Sequence, residues 1–180
     1  MKIRVVFALC VAAGLTLAGC SGDVSPPADT RSNATLSADE AAQYLLAEAP
    51  GEAVEVMAAR ESAGDGDEVI VVGRIGGSKS PWIDGRAAFP IVDRSVKACN
   101  EISGDRCPTP WDYCCQLDLL AKGTALIKLV DADGRALAFD ARAIPGVTEL
   151  AAVVVKGTAH RDEAGNLTIT ANRIYIQETP

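Results

Sequence analysis

The chain has 180 residues, with 17 basic and 24 acidic side chains and few aromatic residues. This length is sufficient for one domain with its own hydrophobic core. A nucleic-acid-binding surface normally carries clustered Lys and Arg, and no such cluster interrupts the acidic balance, so we expect no nucleic-acid partner. Val, Ile, Leu and Ala are plentiful, which predicts a core of branched and small side chains.

The first 19 residues have the order of an export signal. Lys2 and Arg4 provide a positive start, and the 15 residues 5–19 are apolar apart from Thr16. A stretch of this length is shorter than the roughly 20 residues that span a bilayer. Leu17-Ala18-Gly19-Cys20 resembles the lipobox of bacterial lipoproteins. The resemblance implies that residues 1–19 are cleaved and that Cys20 carries the lipid; the alternative is an ordinary secretory signal with an incidental cysteine.

A lipid on Cys20 determines where the protein is expected. Two or three acyl chains hold a protein stably on a membrane without a transmembrane helix. Ser21 resembles the signal for release to the outer membrane, which favours that membrane of the cell envelope. Removal of Lys2 and Arg4 leaves 15 basic and 24 acidic side chains, a formal charge of −9. The expected partners are therefore the membrane, through the anchor, and an unidentified envelope protein or small ligand.

The segment after Cys20 predicts a linker and then the first ordered elements. Residues 20–34 are polar and contain two adjacent prolines, as is typical of a flexible tether. Ser37 and Glu40 match a capping box, so a short amphipathic helix should follow. From residue 54 onward apolar side chains alternate with others, which predicts an edge strand. Residues 35–62 are thus expected to form a helix plus an edge strand.

The rest of the chain predicts a small closed β-barrel. Gly73 and Gly157 lie in the middle of predicted strands, where glycine permits the sharp coiling of barrel corners. A change of apolar phase at Asn172-Arg173 predicts a β-bulge. The predicted strands cover residues 69–75, 87–92, 124–130, 137–140, 153–159 and 167–176.

Several of these segments carry a resemblance to a known fold. VIVVGRIGG (69–77), and VVVKGTAH (153–160) followed by GNLTITANRIYI (165–176), resemble the first and last strands of OB-fold domains, of the anticodon-binding type and of small periplasmic proteins. The resemblance covers residues 68–178 and implies a binding surface across the second and third strands. We therefore expect an all-β protein: an OB-like barrel of five or six strands over residues 63–180, a short N-terminal helix and a disulfide-rich loop. The loop lies at residues 93–120 and is a difference from those OB-fold domains, which lack a cysteine-rich insertion between strands.

The loop holds Cys99, Cys107, Cys114 and Cys115 within 17 residues. An even number of cysteines in an oxidising compartment predicts disulfide bonds. A Cys114–Cys115 bond would strain the peptide between them, which leaves two pairings open: 99–114 with 107–115, or 99–115 with 107–114. Zinc-thiolate sites usually contain a C-x2-C pair, and none is present. A metal site on these cysteines is therefore kept only as the alternative to disulfide bonds. No cofactor is expected.

Two aromatic residues of the loop, Trp111 and Tyr113, are expected to pack against the disulfides. Their alternative role is a rigid platform for a ligand. The chain has one histidine, His160, and no nucleophile motif, so we expect no catalytic site. The sequence predicts a lipid-anchored, non-catalytic binding or structural module of the cell envelope, with a thiolate metal-binding protein as the alternative function.

The anchor can be tested by replacing its cysteine. Cys20→Ser should move nearly all of the protein to the soluble fraction, or leave it as an uncleaved precursor, because the thiol that accepts the lipid is gone. Cys10→Ser, within the signal, is the control and should leave anchoring unchanged. Membrane fractionation and the mass of the mature N-terminus check this. Unchanged membrane partition of Cys20→Ser, with an unmodified N-terminus in the parent protein, would rule out the anchor.

Overall fold

The computed structural model describes residues 36–177. The predicted signal, the predicted lipidation site Cys20 and the predicted tether lie outside the described residues. Within these residues the chain forms three short α-helices: α1 (Ala38–Ala42), α2 (Val56–Ser62) and α3 (Leu117–Gly123). Seven β-strands make one sheet: β1 (Val54–Glu55), β2 (Glu68–Ile75), β3 (Ala88–Val92), β4 (Thr124–Leu129), β5 (Ala152–Arg161), β6 (Leu167–Ala171) and β7 (Tyr175–Gln177). No helix between residues 36 and 177 has the length and apolar character needed to cross a membrane.

Five of the strands close into a barrel. Their order around the ring is β2-β3-β4-β6-β5, and β5 returns to pair with β2. All of these neighbours are antiparallel except β4 and β6, which are parallel. The two remaining strands extend the sheet, with β1 parallel to β2 and β7 antiparallel to β5. This arrangement confirms the predicted small OB-like barrel, a five-stranded Greek-key architecture.

The barrel interior is filled by aliphatic side chains at alternate strand positions. In β4, Ala125, Ile127 and Leu129 are buried, and in β6, Leu167 and Ile169 belong to the same core. Because successive side chains of a strand point to opposite faces, this alternation places one face of each strand inside the barrel. The core thus has the branched and small composition that the sequence predicts.

The predicted capping box starts α1. The Ser37 hydroxyl accepts a hydrogen bond from the Glu40 amide, and the Glu40 carboxylate accepts one from the Ser37 amide. Beyond the helix, the Leu46 amide donates to the Ile174 carbonyl, which joins this segment to the end of the barrel. The expected helix is confirmed, although it spans five residues.

The expected edge strand from residue 54 is wrong beyond its first two residues. The chain enters α2 at Val56 because Val56, Ala59 and Ala63 are all buried in the core, at spacings of three and four residues. Ala58, whose alternation with Val56 supported the strand, is exposed. A helix forms here rather than a strand because the helical spacing places these three side chains on one buried face.

Two predicted features of the second half also differ. Residues 137–140 do not form a strand, since only an isolated bridge joins Val130 to Ala136 after the turn. The predicted bulge at Asn172-Arg173 is instead a break between two strands. Before it β6 pairs with β4 and β5, and after it β7 pairs with the beginning of β5. The alternation of apolar residues shifts at this point because the chain leaves the pairing of β6 and begins the pairing of β7.

One mid-strand glycine is required by the closure of the barrel. A Cβ atom at Gly157 in β5 would lie 2.2 Å from the backbone carbonyl oxygen of Thr170 in β6. Real Cβ atoms essentially never approach another atom this closely, and backbone cannot move aside as a flexible side chain can. The close approach of β5 and β6 therefore depends on glycine at this position.

Gly157→Ala should lower the free energy of unfolding by about 3 kcal/mol, the upper end of the usual cost of overpacking. Gly64→Ala is the matched control, because its Cβ would meet only the flexible side chain of Asp67, at 3.2 Å. The control should change stability by no more than about 0.5 kcal/mol. Urea denaturation followed by circular dichroism measures both. Equal midpoints for the two variants would contradict this account of barrel closure.

Candidate functional site

The cysteine loop is held to the barrel at its first half by Arg74, near the end of β2. One guanidinium nitrogen donates to the carbonyls of Val96, at 2.8 Å, and Arg94, at 3.1 Å. The other forms an ion pair with Glu101 at 2.8 Å. The carboxylate of Glu101 also accepts the Ala98 amide at 2.7 Å, which fixes the short 3-10 turn that contains Cys99. The barrel thereby sets the position of the first thiol.

The second half of the loop rests on two glycines that follow β2. The Gly77 amide donates to the carbonyl of Trp111 at 2.8 Å. A Cβ atom at Gly76 would lie 2.6 Å from that same carbonyl oxygen and 2.9 Å from the ring of Tyr113. In the sequence the two glycines end the segment VIVVGRIGG, which resembles the first strand of OB-fold domains. In the structure the two glycines also let the loop backbone approach the barrel.

Tyr113 is the buried centre of the loop. Its side chain is fully buried in a small apolar cluster with Val92, Val96 and Ala98. Its backbone is left-handed, with φ of 54°, which is uncommon for a bulky residue and joins two 3-10 turns. Burial raises the pKa of Tyr113 to about 12. The ring is therefore a packing element and offers no accessible platform, whereas Trp111 is half-buried.

The four thiols of the loop lie close together but are not bonded. The Sγ atom of Cys114 is 3.6 Å from that of Cys99, 3.8 Å from that of Cys107 and 3.9 Å from that of Cys115. A disulfide bond requires about 2.05 Å. Contrary to the prediction, none of these four described cysteines forms a disulfide.

A carboxylate takes part in the thiol cluster. The thiols of Cys99 and Cys107 each donate to Oδ1 of Asp112, at 3.7 Å. The same oxygen accepts the Cys114 amide at 2.9 Å, and Oδ2 accepts the Thr109 hydroxyl at 2.9 Å. Burial raises the pKa of Asp112, but these hydrogen bonds outweigh it and leave the pKa below its usual value. Asp112 therefore faces the sulfurs as a fixed anion.

A second carboxylate holds the remaining thiol. Cys115 donates to Oδ2 of Asp105 at 2.9 Å, and the Cys107 amide donates to Oδ1 at 2.6 Å. The hydrogen bond to Asp105 is the main cause that raises the pKa of Cys115, to about 11. Contact with Cys99 is the main cause that raises the pKa of Cys114. Without a cation beside them, these thiols are held in the protonated form.

The cluster divides into two overlapping donor sets. The primary set consists of Cys99, Cys107, Asp112 and Cys114, and one donor atom of each lies within 4.8 Å of the others. The outer set consists of Cys99, Asp105 and Cys115, whose donor atoms also lie within 4.8 Å of one another. Cys99 is shared. His160 joins neither set, and its ring contacts Thr170 on the barrel.

The two aspartates are not among the site residues predicted from the sequence. Each stands two residues before a cysteine, as Asp105-Arg106-Cys107 and Asp112-Tyr113-Cys114. In both places the Asp carboxylate accepts the amide of that cysteine, which is an Asx-turn. The repeated D-x-C pattern was the signal that could have revealed them.

A shallow groove of about 490 Å³ is a separate concavity, and none of its lining residues belongs to the cysteine loop. Both acidic and basic side chains line it, among them Glu68 and Lys156, which form an ion pair at 3.1 Å. The mixed charge gives no preference for a class of ligand. The cysteine loop is thus the better candidate site.

Comparison with models of known protein families finds no match, and comparison with curated protein sequences finds no relative. Among solved structures, the chain is similar to that of the hypothetical protein ygiW from E. coli. The sequences are 16% identical, and the match covers 71% of this chain and 91% of that chain, with a TM-score of 0.37. At these values the similarity carries no argument about a ligand.

Gly76→Ala should displace the loop from the barrel, because the new Cβ atom would collide with the Trp111 carbonyl. An overpacking cost of 1–3 kcal/mol corresponds to about 5- to 140-fold more of the undocked loop. Tryptic cleavage after Arg106, which is exposed, should accelerate by that factor. Gly64→Ala is the control and should be cleaved at the parent rate. Equal rates for all three proteins would show that the glycine contact does not hold the loop.

Proposed function

We propose that this protein is a lipid-anchored, non-catalytic module of the cell envelope that binds a zinc ion in its cysteine loop. The observation that carries the proposal is the spacing of the primary set. Three thiols and one carboxylate from separate turns converge on one point, with their donor atoms all within 4.8 Å of one another.

The spacing agrees with tetrahedral zinc. Zn–S bonds of about 2.3 Å place two sulfurs about 3.8 Å apart, and a Zn–O bond of about 2.0 Å places sulfur and oxygen about 3.5 Å apart. The observed sulfur–sulfur distances to Cys114 are 3.6 and 3.8 Å, and the two sulfur–oxygen distances to Asp112 are 3.7 Å. For these four pairs of donors, binding a metal at the centre would require shifts of only a few tenths of an ångström.

The donor types favour zinc among the common divalent ions. Thiolates are soft ligands and select Zn²⁺, Cu⁺ or iron–sulfur clusters, whereas Mg²⁺ and Ca²⁺ take oxygen ligands. The hard carboxylate of Asp112 suits borderline Zn²⁺ better than Cu⁺. Four protein donors also complete the tetrahedron, as in structural zinc sites, while catalytic sites keep an open position. This supports a binding or structural role without catalysis.

The backbone around the set supports preorganisation. Asp112 is fixed by the Cys114 amide and the Thr109 hydroxyl, independently of any thiol. The left-handed backbone of Tyr113 lies between the two ligands Asp112 and Cys114. Strain of this kind costs of order 1–3 kcal/mol and is commonly stored at functional sites. Here the burial of the Tyr113 ring offsets it.

A disulfide-stapled loop is the competing state of the same residues. Cys114 lies near both Cys99 and Cys107 and can bond to only one of them. Oxidation would consume the metal ligands, so the two states exclude each other.

The remaining parts of the proposal concern location and partners. The lipobox-like sequence before Cys20 supports anchoring in the envelope, with the outer membrane favoured. The absence of a nucleic-acid partner is supported by the basic side chains of the barrel, because several are already engaged in ion pairs with carboxylates: Arg74, Arg94, Arg135, Arg142 and Lys156. A protein that neutralises phosphates needs such side chains free and clustered.

Protein isolated from the envelope should contain at least one zinc per chain. After denaturation in a chelator, all four loop thiols should react with an alkylating reagent without prior reduction. Elemental analysis and intact mass measure the two quantities. Metal-free protein that reacts only after reduction, with a mass gain of about four hydrogens, would establish the disulfide state and reject the zinc site.

Variants assign the ligands. Cys107→Ser and Asp112→Asn should each lower the affinity for the first zinc by about 100-fold or more, since even second-shell changes cost 10- to 100-fold. Asp133→Asn, in an exposed turn, is the control and should bind zinc like the parent. A competition titration with a chromophoric chelator measures affinity, and circular dichroism verifies folding. Parent-like affinity in both ligand variants would contradict the assignment.

A further inference from the structure

Cys99 belongs to both donor sets, and this sharing has a consequence if the proposed zinc site is correct. Its side chain is fully buried, whereas Cys114 and Cys115 are exposed at the outer side of the cluster. The sulfur of Cys99 lies 3.6 Å from Cys114 in the primary set and within 4.8 Å of the donors of Cys115 and Asp105. One thiolate thus faces two groups of donors.

We propose that the loop binds two zinc ions, with the Cys99 thiolate bridging them. The first ion takes the primary set. The second takes Cys99, Cys115 and Asp105, and a fourth position remains for a donor from outside the chain. This inference rests on the proposed function, because the bridge exists only when the primary set is occupied by a metal.

The outer set has the composition and spacing for such a site. Its Cys115 sulfur and Asp105 oxygen are 2.9 Å apart, and a tetrahedral zinc would separate them to about 3.5 Å. The required opening is about half an ångström, at exposed Cys115. A second Asx-turn fixes Asp105, whose Oδ1 accepts the Cys107 amide while Oδ2 points to the thiol. The carboxylate therefore does not depend on the metal for its position.

The two ions also account for every donor in the cluster. The four thiols and two aspartates all lie in one or both sets. Each thiol gives its proton to solvent as it ligates, because the thiolate is the metal ligand. Two divalent ions then balance four of the six negative charges on the four thiolates and two aspartates. One ion alone would leave Cys115 and Asp105 without a metal to bind. The open position of the second ion suits water or an anionic or thiolate donor from a small molecule or partner.

Cadmium provides the test, since it takes the same ligands and ¹¹³Cd is observable by NMR. The full chain with Cys10→Ser and Cys20→Ser leaves only the loop thiols, and it is titrated with ¹¹³Cd²⁺ under reducing, anaerobic conditions. We expect two equivalents to bind, with two resonances that show mutual coupling through the bridging sulfur. Cys115→Ser in this background should bind one equivalent and give one resonance. Asp133→Asn should behave like the background.

The other possible results distinguish failure of the second zinc site from failure of the proposed function. One equivalent in the background, unchanged in Cys115→Ser, would overturn the second site and leave the proposed function intact. Two equivalents in Cys115→Ser, or two uncoupled resonances in the background, would overturn the bridged arrangement. No binding in the folded protein would overturn both proposals. Asp105→Asn is a second variant that tests the outer set if Cys115→Ser does not fold, and it should also reduce the stoichiometry from two to one.

Discussion

The close contact between the Trp111 carbonyl and the glycines after β2 is the constraint on which the site depends. It brings the second half of the loop against the barrel, at a distance that no side chain at Gly76 would permit. Arg74 fixes the first half from the end of the same strand. Cys99 and Cys114 meet because both halves are tied to β2. The thiol cluster is therefore a product of the barrel, although every donor comes from the loop.

This dependence explains why a loop so rich in polar residues can be ordered without a disulfide. Arg74 and Glu101 satisfy the carbonyls and amides of its first turns, and the ring of Tyr113 supplies a small apolar core of its own. The unusual backbone of Tyr113 is stabilised by that burial. Chain ordering is costly for residues that bury little apolar surface. A metal ion or a disulfide would add to contacts that already define the arrangement.

The sequence predicts the barrel well and the site only in part. Alternation along β4 and β6, the capping box at Ser37 and the glycine at 157 follow from local rules, and the structure confirms them. The start of α2 was missed because Val54, Val56 and Ala58 fit a period of two before the helical period becomes visible. The cysteines predicted where the site lies. Their arrangement in an unbonded cluster could not be predicted, since it depends on where β2 places Arg74 and Gly76, which make tertiary contacts with the loop.

The most direct test of the zinc site is X-ray absorption of the protein loaded with one equivalent of zinc. The primary set predicts a first shell of about three sulfurs at about 2.3 Å and one oxygen at about 2.0 Å. Cys107→Ser should reduce the sulfur count by one while the protein remains folded. A shell of oxygen and nitrogen alone, or a sulfur count that Cys107→Ser does not change, would contradict the assignment of the loop as the metal site.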